Sequence, residues 1–138
     1  MKIVLDANVI LSAILFGGKP RQVLDAATSG QVRMCISEKL ISELEGVLHR
    51  EKFALDSRVV SAIVAELTSA AELVQPTTHA SVIKDDPSDN DVLDCALEAK
   101  AVYIVSGDRH LLALGRYGDV PILNPDDFLK NVEGRKWS

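Results

Sequence analysis

The chain has 138 residues, a formal net charge of −5, 47% hydrophobic and 25% charged residues. That length suits a single domain able to bury a core, and the composition is that of a soluble globular protein, not a disordered one. The acidic balance excludes a protein that grips nucleic acid by bulk positive charge, though not an enzyme that acts on it, and no apolar run reaches bilayer length or forms a signal-peptide core, so a cytoplasmic protein without membrane contact is expected.

Ile3-Val4-Leu5 is an uninterrupted apolar run, the pattern of a strand buried on both faces, and it stops on Asp6. Ala7 to Leu15 predicts a short buried helix closed by Gly17-Gly18. Pro20 suits the first turn of a second helix carrying Val23, Leu24, Ala26 and Ala27, with Gly30 past its end. Val32 to Ile36 predicts a strand, and Ser37 an N-cap for a helix running to about Arg50 with Leu40, Ile41, Leu44, Val47 and Leu48 on one face. Val59 to Ala71 carries another helical stripe, and Gln75 to Ser81 is a connection between elements.

The most acidic passage, Asp85-Asp86-Pro87-Ser88-Asp89-Asn90-Asp91, leads into a helix through Ser88, with Asp91 three residues on in a capping-box arrangement. Helical geometry extends the stripe of Val92, Leu93, Ala96 and Leu97 back through Asp89, whereas Asp91, Asp94 and Glu98 point the other way and read as a solvated face. Ala101 to Val105 is a second buried strand, ended by Ser106-Gly107-Asp108. A turn or two of helix at Arg109 to Leu114, a last strand at Val120 to Leu123 and a helix start at Asn124-Pro125-Asp126-Asp127 complete the chain. Residues 1–133 are expected to form the domain and 134–138 a short basic tail. Alternating strands and helices predict an α/β/α sandwich around a central parallel sheet.

Asp6 and Asp108 both end buried strands, where open α/β sheets collect ligands, and Asp89 faces inward from a helix start. An isolated strand-end aspartate is as readily a helix cap or turn residue. Converging carboxylates repel one another, so such a cluster makes chemical sense with cations in it. Oxygen ligands without suitably spaced His or Cys favour Mg²⁺ or Mn²⁺, and a site of that kind serves hydrolysis of a phosphate ester. His49, His79 and His110 share no spacing, and His110 is read as lying near the site entrance. Cys35 and Cys95 have no metal spacing and apolar neighbours, so reduced buried thiols are expected. Haloacid-dehalogenase chemistry is excluded, since it needs a second Asp two residues after the first and Asn8 stands there.

Four segments, in order, carry a resemblance: Leu5-Asp6-Ala7-Asn8-Val9-Ile10-Leu11-Ser12, Ser37-Glu38-Lys39-Leu40-Ile41-Ser42-Glu43-Leu44, Asp86-Pro87-Ser88-Asp89-Asn90, and Val105-Ser106-Gly107-Asp108-Arg109-His110-Leu111-Leu112. Over nearly its whole length the chain resembles the PIN-domain nucleases, in particular the VapC-like branch of toxin components in toxin–antitoxin pairs. The resemblance implies a single PIN-like domain with Mg²⁺- or Mn²⁺-dependent endoribonuclease activity. It implies an acidic quartet of Asp6, Glu43, Asp89 and Asp108 as metal ligands and catalytic residues, supported by Asn8, Ser12 and Ser106. It also implies an RNA substrate, a cognate antitoxin and a homodimer. Helical geometry alone does not separate Glu43 from Glu45; the family pattern selects Glu43. Ala7 departs from a frequent Thr, and Ser88 from a frequent Asp. Two other functions share these residues: a PIN nuclease of RNA processing or quality control without an antitoxin, and a non-catalytic interaction module whose acidic pocket takes a partner's arginine.

Overall fold

The computed structural model describes residues 1–133, and the expected basic tail lies outside them. The opening apolar run forms β1 (Lys2–Leu5), with Ile3 and Leu5 in one core and Val4 in another, as a strand covered on both sides requires. Helix α1 (Ala7–Phe16) follows and then, after Gly17, α2 (Gly18–Thr28). Gly17 has φ 72°, a conformation that costs glycine little and lets the chain reverse between these two packed helices. β2 (Arg33–Ile36) ends at Ser37, whose Oγ accepts from the Leu40 N–H at 3.3 Å and so starts α3 (Glu38–Leu48).

A 3₁₀ turn at Glu51–Phe53 precedes α4 (Ser57–Ala70) and β3 (Glu72–Leu73). After an irregular stretch over 74–88 come α5 (Asp89–Ala99) and β4 (Tyr103–Val105), then α6 (Arg109–Leu114), β5 (Arg116–Tyr117), β6 (Val120–Leu123) and α7 (Pro125–Glu133). The Asn124 side chain accepts from the Asp127 N–H at 2.7 Å, the cap anticipated for α7.

The strands lie in the order β3-β2-β1-β4-β6-β5, parallel throughout except for the β5–β6 hairpin. Two cores flank the sheet. One packs α1, α2, α4 and α7 against Ile3, Leu5, Tyr103 and Val105; the other packs α5 and Leu111 of α6 against Val4, Ile104 and Ile122. The α/β/α sandwich is thus as the sequence predicts, with two short strands added. β3 and β5 have two residues each, too few for an alternating pattern to announce them. No helix among the described residues is long and apolar enough to cross a membrane.

The expected solvated face of α5 forms only in part: Glu98 is exposed and Asp91 partly so, but Asp94 is buried. Asp94 is only 5% exposed and its Oδ1 accepts from the Ala80 N–H at 2.7 Å and from the Thr78 hydroxyl at 3.5 Å. Glu98 accepts from both the N–H and the hydroxyl of Thr77 at 3.1 Å. The irregular stretch before α5 folds back over this face and uses its acids as hydrogen-bond acceptors, which a helical projection cannot show. The capping box is also absent: Ser88 already has helical dihedrals and makes no cap bond, and its hydroxyl turns back to Asp86 Oδ1 at 2.7 Å.

β1 and β4 are neighbours at the centre, yet the chain continues from β1 toward β2 and from β4 toward β6. At such a point the outgoing loops part and leave a crevice beyond the carboxyl ends of the strands.

Candidate active site

The pairing of Leu5 with Val105 brings the ends of β1 and β4 level, and with them Asp6 and Ser106. The Ser106 hydroxyl donates to Asp6 Oδ2 at 2.8 Å and accepts from the Asp108 N–H at 2.9 Å, so a fully buried serine fixes the two strand-end aspartates relative to one another. Asp6 occupies the N-cap position of α1 but makes no side-chain cap bond. Asp108 does cap α6: its Oδ1 accepts from the His110 N–H at 2.8 Å and the Leu111 N–H at 3.2 Å, which leaves Oδ2 open.

Glu43, half-buried on α3, and Asp89, buried at the start of α5, complete the group. Burial pushes the Glu43 carboxyl up to about 7; repulsion from Asp6, Asp91 and Asp86 adds to this, and the Ser88 hydroxyl partly offsets it. Asp89 is pushed up to about 8, first by burial and then by a proton-sharing contact with Asp108 and by the charges of Asp108, Asp86 and Asp6. Asp6 is raised as well, by burial above all and by Asp108, against hydrogen bonds from Ser106 and the backbone N–H groups of Asn8 and Ala7. Asp6 thus feels the charge of Asp108, and Glu43 and Asp89 each feel that of Asp6, whereas only Asp89 and Asp108 of the four bring ligand atoms within 4.8 Å of one another, together with His110.

Each residue expected at the site can be located. Glu45 is exposed and lines a separate groove with Ile41, His49 and Val60, whereas Glu43 is half-buried and close enough to Asp6 to feel its charge. Asn8 and Ser12 line an open cleft of about 500 Å³ with Gly107, Asp108 and Arg109, which places them beside the acids. His110 stands two residues after Asp108 in the first turn of α6, partly exposed, with its Nδ1 3.5 Å from Asp108 Oδ1. Its adjacency to a strand-end aspartate was the signal available. Cys35 and Cys95 are buried free thiols.

The fit of the cluster to a cation can be judged from its own atoms. Glu43 Oε2 and Asp89 Oδ2 are buried without a hydrogen-bond partner, and among the described residues no lysine or arginine pairs with Asp6, Glu43, Asp89 or Asp108. Buried acceptors cost roughly 1–3 kcal/mol each when left unmatched, more when charged. A hard divalent cation is the partner whose charge and ligand preference match such a set, and Asp89, Asp108 and His110 offer atoms within 4.8 Å of one another.

Comparison with known proteins gives a consistent picture. A family model for the PIN domain matches residues 2–110. No match is found among curated proteins. Among solved structures, VapBC2 from Rickettsia felis, bound to a DNA fragment from its promoter, is 15% identical with a TM-score of 0.61, covering 90% of this chain and 98% of its own. FitAcB from Neisseria gonorrhoeae is 18% identical with a TM-score of 0.53, covering 89% and 97%. The PIN domain of T. brucei RRP44 is 14% identical with a TM-score of 0.54, covering 95% and 80%.

Proposed function

The chain belongs to the PIN domain family, and from that premise we propose that it is a divalent-metal-dependent endoribonuclease, the toxin of a toxin–antitoxin pair. PIN domains are generally nucleases. The observation that carries the reading is the group of buried carboxylates with orphaned oxygens and, among the described residues, no lysine or arginine partner, an arrangement that is costly unless it serves a cation. Asp6, Glu43, Asp89 and Asp108 would hold Mg²⁺ or Mn²⁺, which supplies a water of lowered pKa and neutralises charge on the phosphodiester. Ser106 holds Asp6 and Asp108 in register, and Asn8 and Ser12 line the cleft along which an RNA strand would lie. An antitoxin partner is supported by the toxin-branch motifs and by the shared fold with VapBC2; homodimer formation and a cytoplasmic setting belong to the same proposal.

The test is cleavage of RNA in Mg²⁺ or Mn²⁺ by the wild type, Asp6→Asn and Asp89→Asn. Cleavage is expected to vanish with chelator and to fall by about two orders of magnitude or more in each variant, because metal charge stabilisation is worth several kcal/mol and each ~1.4 kcal/mol is tenfold in rate. Equal activity in all three proteins would remove the site assignment. The same fold and acids are compatible with an alternative, a PIN nuclease of RNA processing without an antitoxin. Growth arrest on expression, relieved by the product of a neighbouring gene, favours the toxin; its absence favours the alternative.

A further inference from the structure

His110 carries chemistry that an all-carboxylate quartet leaves unused. Its Nδ1 is buried and has no hydrogen-bond partner, although it sits 3.5 Å from Asp108 Oδ1. The other ring nitrogen, Nε2, lies 3.6 Å from Asp85 Oδ2. One nitrogen thus faces the acids, while the other lies near the exposed Asp85 carboxylate, beyond hydrogen-bond distance. A second buried group points into the same space: Asp89 is 3% exposed and its Oδ2 is also unpartnered. Atoms of Asp89, Asp108 and His110 fall within 4.8 Å of one another, a spread that a cation with ligand distances of about 2.0–2.2 Å closes with small side-chain adjustments.

We propose that His110 Nδ1 is a metal ligand alongside Asp89 and Asp108, and that it biases the site away from Mg²⁺ and toward Mn²⁺ and other borderline cations. The proposal rests on the metal-site reading of the acidic cluster. Its chemical basis is that an imidazole nitrogen is a softer donor than a carboxylate oxygen: it adds affinity for first-row transition metals along the Irving–Williams order and little for Mg²⁺, which favours oxygen and retains its water. A rival role is easy to state. A protonated His110 would serve as a counter-ion to Asp108 and Asp85, and would then be displaced by a metal and not bound to it.

The experiment uses Mn²⁺ alone, added to the full-length protein, with pulsed electron paramagnetic resonance to detect nitrogen coupled to the bound ion. Coupling is expected in the wild type, with the pattern changing on ¹⁵N labelling of histidine. It should persist when His49 and His79 are both replaced by Gln and disappear in His110→Gln. Titration should show Mn²⁺ binding weakened about tenfold or more in His110→Gln, and Mg²⁺ binding by less than about threefold. Mn²⁺ binding without nitrogen coupling, or coupling that survives His110→Gln, overturns the proposal while leaving the carboxylates as ligands. No Mn²⁺ binding at all overturns both the proposal and the metal-dependent function. Should His110→Gln fail to fold, the labelled wild type and the His49/His79 variant still decide.

Discussion

Helix α5 carries two buried aspartates of nearly equal exposure, 3% for Asp89 and 5% for Asp94, that live in opposite circumstances. Asp94 receives hydrogen bonds from the Ala80 N–H and the Thr78 hydroxyl and holds down the stretch that precedes its own helix. Asp89, little more than a turn earlier, keeps an oxygen with no partner and is crowded by Asp108, Asp86 and Asp6. Burial of a charged group is therefore not the mark of a functional site. What distinguishes the two is whether the surrounding protein answers the carboxylate: it does at Asp94, which is architecture, and leaves an oxygen unanswered at Asp89.

The comparison predicts opposite signs on mutation. The largest effect is expected at Asp94→Ala, which removes the acceptor for the Ala80 N–H and loosens the loop above α5. A loss of about 1–3 kcal/mol is expected in urea denaturation, with Asp94→Asn milder because an amide oxygen can still accept. An unchanged midpoint for Asp94→Ala would break the contrast.

Next in size is the pH response of the metal-free protein. Glu43 and Asp89 are pushed up to about 7 and about 8, above their unfolded values of about 4, so the folded state binds more protons than the unfolded one across that interval. The associated stability is whole below pH ~4 and is lost as pH rises through about 7 and 8. Melting temperature without metal is accordingly expected to fall between pH 5 and pH 8, and to recover when Mn²⁺ is added at pH 8; a rise over that range without metal would contradict the crowding of the carboxylates.

The smallest shift is expected for Asp89→Asn at pH 8 without metal, which removes one of the repelling charges and should raise the melting temperature slightly while abolishing cation-dependent stabilisation. A variant that melts lower than the wild type under those conditions would place Asp89 in the same category as Asp94.

Much of this could be read from the residues in order. The unbroken runs Ile3-Val4-Leu5 and Tyr103-Ile104-Val105 name the two central strands because only a strand covered on both sides lacks polar alternation. Ser37 and Asn124 name their helix starts through the side-chain acceptors that caps require. Asp6 and Asp108 were legible as strand ends. Asp94 was not, because a helical projection gives direction but not what lies there, and the covering stretch has no periodicity to reveal it. Ser88 misled for a related reason: with Pro87 before it the backbone has already turned, and the hydroxyl finds Asp86 sooner than a helix N–H. The nearness of His110 to Asp108 depends on how tightly α6 begins, and two residues of sequence separation do not specify that.

The borders of the sheet bear on whether another strand could add to it. Its outermost strands, β3 and β5, offer two residues each, and the β3 side is studded with charge where Glu72 binds Lys2 at 3.1 Å and Arg33 at 3.8 Å. So short and charged a margin gives an incoming strand almost no template, which guards against fibre-like growth by edge addition. Self-association would then have to run through helical surfaces, leaving the six-stranded sheet a closed unit in every copy.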